Sequence, residues 1–233
     1  SANGAIVHYR ANKRGAAKLK KGSLLLVDSG GQYMDGTTDV TRTVAIGKPN
    51  AEMRDRFTRV LKGHIALARA VFPHGTSGAQ LDALARKPLW DVGLDYDHGT
   101  GHGVGSYLNV HEGPHGISSY VRSDAVKFEE GFTITNEPGY YEDGNFGIRH
   151  ENVLVVVKAK TDHSFGGKEF LAMESITFVP FQRNCIDKSL LTQPQIDWID
   201  AYHVACRTAL APLLRKADDA RALGFLARET APL

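Results

Sequence analysis

Residues 98–116 read HGTGHGVGSYLNVHEGPHG, with four histidines and six glycines. Inside this stretch, residues 111–115 spell HEGPH and so match H-E-x-x-H. In that pattern one helix face presents two histidines to a zinc ion, and the glutamate serves as base. The fold turns on whether the segment is a helix. Gly113 costs a helix interior about 1 kcal/mol and Pro114 about 3 kcal/mol. Proline also drives the residue before it out of the helical region. HEGPH is therefore expected to be a loop, with His115 binding no metal, and the histidines need another explanation.

Outward from this loop the chain alternates between strand and helix signals. Upstream, Ser23–Asp28 (SLLLVD) is an apolar run suited to a buried strand, and residues 41–46 (TRTVAI) alternate like one. Asp35-Gly36 marks a turn between them. Residues 50–72 carry a 3.6-residue apolar period through Met53, Phe57, Val60, Leu61, Ile65 and Phe72, ending at Pro73 and Gly75. A second helix is expected over about 77–85, stopping near Pro88. Downstream, strands are expected at 132–136, 147–158, 170–173 and 176–181. From about Gln195 a helical stripe returns through Ile196, Ile199, His203, Cys206 and Leu210, with Pro212 expected to interrupt or kink it. The mixture predicts an α+β chain with a helical tail.

Composition excludes several classes. There are 28 Lys+Arg against 26 Asp+Glu, a net charge of +2, and KLKK at 18–21 is a short solvated cluster. No nucleic-acid partner is expected. No apolar run is long enough to span a bilayer, so no membrane association is expected either. Cys185 and Cys206 stand alone without metal or disulfide spacing, which fits a reducing, cytoplasmic setting.

Carboxylates account for the histidines. Asp28 closes an apolar run and Asp39 opens the next strand. Glu137 directly follows FTITN, and Glu151 interrupts the most apolar run of the chain. A buried, unpaired carboxylate costs several kcal/mol unless a cation or a hydrogen-bond network compensates it. A salt bridge to Arg149 is one solution for Glu151; a metal is the other. For the aspartates, a hairpin centred on Tyr33–Met34 would set residues 28 and 39 opposite each other. A tight turn at Asp35–Gly36 would stagger them by about 13 Å, so a wider turn or a bulge at Gly30-Gly31 would be needed. Four carboxylates and one imidazole make a mostly oxygen site suited to Mn²⁺, with Zn²⁺ and Co²⁺ as alternatives. Two such ions can activate a water for hydrolysis.

Asp28, Asp39, His102, Glu137 and Glu151 lie in the contexts VDSGGQYMDGTTDVTRT, GTGHGVGSYLNVHEGP and TNEPGYYEDGNFGIRHENV. In these contexts they resemble the pita-bread metallopeptidases, most closely the Xaa-Pro aminopeptidase (aminopeptidase P) branch in its long, cytosolic, eukaryote-like form. The resemblance implies the pita-bread (creatinase/aminopeptidase) fold, an antiparallel sheet with helices on its outer face. It implies a catalytic domain over 1–186 and a helical C-terminal extension over 187–233 packed on it. By the same resemblance those five residues hold two divalent ions, and Glu137 also partners the reacting water. His98 and His111 become catalytic and substrate-side histidines, and His8 a third substrate contact. The substrate implied is a peptide with proline in second position, cleaved between its first residue and the proline. His115 and His150 fall outside the pattern and read as structural.

Two departures bear on this. The family's catalytic domain begins well before the segment resembling SANGAIVHYR. The chain is therefore expected to be truncated, weakly active alone, and prone to self-association, as a homodimer, through a bare sheet face or the tail. The rival class is a pita-bread relative that has lost its metals and serves as a binding module; it would lack at least one of the five ligands, and none is missing. Prolidase and methionine aminopeptidase are the enzymatic alternatives within the fold.

Overall fold

A computed structural model describes residue 9, residues 17–121, residue 123 and residues 125–233. It opens with a long hairpin, β1 (Ser23–Tyr33) against β2 (Gly36–Ile46). The turn holds only Met34 and Asp35, because Tyr33 pairs with Gly36. This places Asp28 opposite Thr41 and Asp39 opposite Gly30. The aspartates are thus staggered by two residues, midway between the two alternatives considered above. A two-residue stagger keeps both side chains on one sheet face as diagonal neighbours, and the continuous register needs no bulge. β1 was expected to be buried, yet only Leu24 is; from Val27 onward it is almost entirely solvent-facing. Among the described residues it pairs with β2 alone and forms a sheet edge.

Helix α1 (Ala51–Ala68) follows, with the Asn50 side chain accepting from the Met53 N–H at its start. Its apolar period buries Phe57, Leu61 and Ile65 against the sheets. The period continues past the helix end only as sequence, for Phe72 sits in the short strand β3 (Phe72–Pro73). Helix α2 (Gly78–Trp90) starts on a Ser77/Gln80 capping box and packs on α1. It runs through Pro88, beyond the expected stop. A proline in the final turn forfeits one hydrogen bond near an end that would fray anyway, and Asp91 N–H still closes on Lys87 O. Where the helices touch, Gly63 is required: a Cβ there would lie 2.0 Å from the Ala85 carbonyl oxygen.

The rest of the sheet is antiparallel throughout. β4 (Gly101–His102) pairs with β5 (Gly116–Ile117), and β7 (Gly139–Glu142) with β8 (Phe146–Arg149). A four-stranded sheet runs β3, β10 (Phe170–Ser175), β9 (Asn152–Lys158), β6 (Thr133–Asn136). Residues 147–158, expected as one strand, are two. The chain leaves the β7 partnership at His150, whose N–H reaches Pro138 O. It then crosses to β2 through Glu151 N–H to Thr41 O, and joins β6 as β9. The strand expected at 176–181 is absent as well. There the Thr177 and Val179 carbonyls lie against side chains, Tyr202 and Arg42, rather than in a ladder.

Helix α3 (Gln193–Lys216) continues through Pro212 and ends instead at residues 217–219, before α4 (Ala220–Glu229). Ile199, Tyr202 and Cys206 of α3 join Leu24, Phe57 and Ile148 in one core, while Leu81, Ile117, Ile134 and Leu154 form a second. The α+β class, the antiparallel pairing and the helical tail expected from the sequence are all present.

Candidate metal centre

The two cores leave a cleft of about 390 Å³ between the β1–β2 ribbon and the loop after β4. Asp28, Asp39, His102, His111, Glu137, Arg149 and Glu151 line it. Asp39, His102 and Glu151 each offer a ligand atom, all within 4.8 Å of one another. Glu137 is close by, its Oε1 3.3 Å from His102 Nε2. Asp28 lines the same cleft but is engaged by Arg149: its Oδ2 accepts from Arg149 Nη2 at 2.7 Å, and its side chain is 44% exposed.

Local structure explains each placement. Asp39 and Asp28 hang from the ribbon on one face. His102 sits on β4, whose approach requires Gly101, because a Cβ there would meet the Thr135 carbonyl oxygen at 1.9 Å. Glu137 follows the last residue of β6, its N–H held by Thr100 O. Glu151 occupies the crossing between β8 and β9. This crossing also points His150 the opposite way, into the Phe57 and Phe181 rings.

The electrostatics of the cluster call for a cation. Burial raises the Asp39 carboxyl to about 6, helped by Asp28 beside it. Glu151 is pushed up to about 8, by burial first and Asp39 second. Glu137 is raised well above the usual range by burial and by Glu151. Two threonines donate into the group: Thr41 Oγ1 to Glu151 at 2.6 Å and Thr135 Oγ1 to Glu137 at 3.0 Å. Arg149 is fully buried, and although burial alone would lower its pKa, Tyr141, Glu137 and Asp28 hold it raised.

His102 supplies the sharpest test of fit. Its Nδ1 lies 2.9 Å from the Gly103 carbonyl oxygen, which can only accept, so Nδ1 carries the proton. Burial lowers the ring's pKa and keeps it neutral. Nε2 therefore aims a bare lone pair at Asp39 Oδ2, 3.6 Å away, and at Glu137 Oε1, 3.3 Å away. Lone pairs facing each other at such distances repel unless a cation, or a proton on the raised Glu137 carboxyl, lies between them; the cluster is built to take up positive charge. A carbonyl fixing the tautomer of a ligating histidine is the common outer arrangement of metal sites.

The remaining histidines are placed as follows. His111 is exposed at the cleft, its ring 4.2 Å from that of His102. His98 Nε2 meets the Tyr141 hydroxyl at 2.9 Å, and that hydroxyl also accepts from Arg149 Nη1. HEGPH is not helical, and His115 instead stacks on Phe132 with Nε2 2.7 Å from Thr133 O. His8 lies outside the described residues. Sequence reasoning missed the roles of Thr41, Thr135, Tyr141 and Arg149. Alternation was a usable signal for the threonines, since each stands two residues from an acid in a run of extended residues. Of the two solutions considered for Glu151, no salt bridge to Arg149 is formed: the guanidinium reaches Asp28 and lies 3.8 Å from Glu137.

Comparison with known proteins gives concordant matches. The model of metallopeptidase family M24 matches residues 1–158, and that of the C-terminal region of peptidase M24 matches residues 169–233. Aminopeptidase P1 of Lotus japonicus is 54% identical over 99% of this chain, which covers 34% of that protein. A probable Xaa-Pro aminopeptidase P of Laccaria bicolor is 51% identical over 99% of this chain and 36% of its own length. The chain thus spans about a third of the length of the curated relatives it matches. An X-prolyl aminopeptidase from Caenorhabditis elegans, described as a cytosolic enzyme with a di-nuclear active site, superposes with TM-score 0.92 at 42% identity. That match covers 100% of this chain and 37% of the other. Prolidase from Pyrococcus horikoshii aligns less well, at TM-score 0.63 and 26% identity over 77% of this chain and 46% of its own.

Proposed function

The chain belongs to metallopeptidase family M24, and from that membership we propose that it forms the metal-dependent catalytic part of an Xaa-Pro aminopeptidase. The observation that carries this is the bare Nε2 of His102 facing buried carboxylates whose pKa values are all raised. Asp28, Asp39, His102, Glu137 and Glu151 would hold two divalent ions, Mn²⁺ first among them, with Asp28 exchanging Arg149 for metal. Bound there, the ions supply a water acidic enough to attack at neutral pH and a positive field at the scissile carbonyl.

This chain's own residues do the rest. Glu137, buried beside the other carboxylates, accepts the proton of the attacking water and passes it to the departing proline nitrogen. Water is thereby added across the C–N bond with its atoms balanced. His111, at the mouth of the cleft, donates to the carbonyl oxygen as negative charge develops on it. His98, oriented by Tyr141, flanks the substrate, and His8 is assigned a further contact there. A bond preceding proline offers no N–H, so the substrate must be gripped by its free amine and its ring. A cleft of 390 Å³ is of a size to hold a short peptide end.

We also propose the division into a catalytic unit, 1–186, and a helical extension, 187–233, and a cytosolic setting like that of the nematode protein. No helix among the described residues is long and apolar enough to cross a membrane. The test combines elemental analysis with cleavage of two tripeptides that differ only in proline or alanine at the second position. Two bound metals per chain and release of the first residue from the proline peptide alone are expected. A chain without metal, or one cutting both peptides equally, would refute the assignment.

A further inference from the structure

Directly behind the ligand cluster lies a cation that the chemistry above does not use. Arg42 follows Thr41 on β2, so it points to the opposite face from Asp39, and it is 7% exposed. All three of its guanidinium nitrogens are engaged, and every acceptor is uncharged. Nη1 donates to Thr41 O at 2.8 Å and to Glu151 O at 2.5 Å. Nη2 donates to Asn152 Oδ1 at 2.6 Å, Val179 O at 2.6 Å and the Tyr202 hydroxyl at 2.9 Å. Nε reaches Val179 O at 3.1 Å, and the guanidinium stacks 4.3 Å above the centre of the Phe181 ring.

The placement of these acceptors is informative. Glu151 and Asn152 mark the crossing from β8 to β9, where the backbone follows no single ladder. Thr41 donates its hydroxyl to the Glu151 carboxylate. Val179 lies shortly before the C-terminal extension and Tyr202 within it, on α3. The Tyr202 hydroxyl lies 2.9 Å from Thr177 O and 3.0 Å from Val179 O, so its one proton is held by either carbonyl while its lone pair faces Arg42. A fully buried cation whose partners are all neutral is expensive unless its geometry serves something.

We infer that Arg42 is a positioning residue for the metal centre, fixing the backbone of Glu151 and Thr41, and that α3, through Tyr202, is its anchor. The C-terminal segment is on this view a structural component of the metal site rather than an appended tail. The inference rests on Glu151 being a metal ligand, as proposed above. Arginine is required because only its planar fork reaches the Thr41 and Glu151 carbonyls on one side and Val179 and Tyr202 on the other. Lysine would keep the charge and lose the span.

The test titrates Mn²⁺ into the metal-free chain by calorimetry, with the melting temperature of each metal-free protein measured alongside. Arg42→Lys is expected to bind Mn²⁺ about 10–100-fold more weakly than wild type, the usual effect of losing an outer-shell partner. Tyr202→Phe, which removes the anchor and preserves shape, is expected to weaken binding about tenfold, at the lower end of that range. Ile199→Val, buried on the same helix, is the matched control: its melting temperature should fall while its Mn²⁺ affinity stays that of wild type. If Arg42→Lys does not fold, Tyr202→Phe carries the test. Wild-type Mn²⁺ affinity in the variants despite lower melting temperatures, or equal weakening in Ile199→Val, overturns the inference. A wild-type chain that takes up no Mn²⁺ removes the metal centre itself, and this role with it.

Discussion

Glu151 and His150 are neighbours in sequence and opposites in surroundings. Glu151 faces Asp39 and His102, whereas His150 is sealed between Phe57 and Phe181 with its ring pushed well below its ordinary pKa by burial. Glu151→Ala is therefore expected to lose metal, and His150→Ala to retain it while losing about 2 kcal/mol or more of stability to the cavity left behind. Elemental analysis and urea unfolding of the two variants separate these effects, and equal metal loss would contradict the assignment. Alternation was enough to separate this pair from sequence. It could not reveal where Arg149 goes, because alternation names a face and not a partner. The partner is Asp28, brought there by a hairpin register that no local signal fixes. Motif wording was enough to single out the five proposed ligands, while Thr41 and Thr135, which donate hydrogen bonds to Glu151 and Glu137, looked like ordinary strand residues.

At the scale of elements, strongly periodic segments were legible and breaks were not. Helix α1 follows its apolar stripe, but nothing in GIRHENVLVVVK (147–158) announces that the run changes sheets at residues 150–151. The change becomes visible only when β2 arrives to accept the Glu151 N–H. Residues 176–181 have strand composition, yet they face Arg42 and α3 and build no ladder. Their α3 neighbour His203 makes a separate prediction. Its Nε2 accepts the Phe181 N–H at 3.2 Å, and burial lowers the ring from 6.5 to about 4. A protonated ring cannot accept, so the unfolded chain holds the extra proton between these values. The stabilisation is complete above about 6.5 and disappears as pH falls towards 4. In urea unfolding of the metal-free chain, His203→Gln keeps an acceptor and cannot titrate. It should lose less stability than wild type between pH 7 and pH 5, by up to about 1.4 kcal/mol per pH unit. A loss as steep as that of wild type would mean His203 does not carry this proton.

Across the whole molecule, the antiparallel sheet with helices outside it and a helical tail agrees with the pattern read from sequence and with the nematode structure at TM-score 0.92. The place of His8 in the site is the part that stays with the sequence, since it lies outside the described residues. The five proposed ligands come from the ribbon, β4, the end of β6 and the β8–β9 crossing, so more than half of the chain separates Asp28 from Glu151. No local stretch can assemble them; they meet only after both cores have closed. Contacts of such long range are among the last to form in folding, and an interaction absent from the transition state acts on the unfolding rate alone. In stopped-flow experiments the ions should therefore leave the refolding rate nearly where a chelator leaves it, while slowing unfolding severalfold. Metal here would be a latch on a finished molecule, setting how long the native state lasts and not how quickly it is reached.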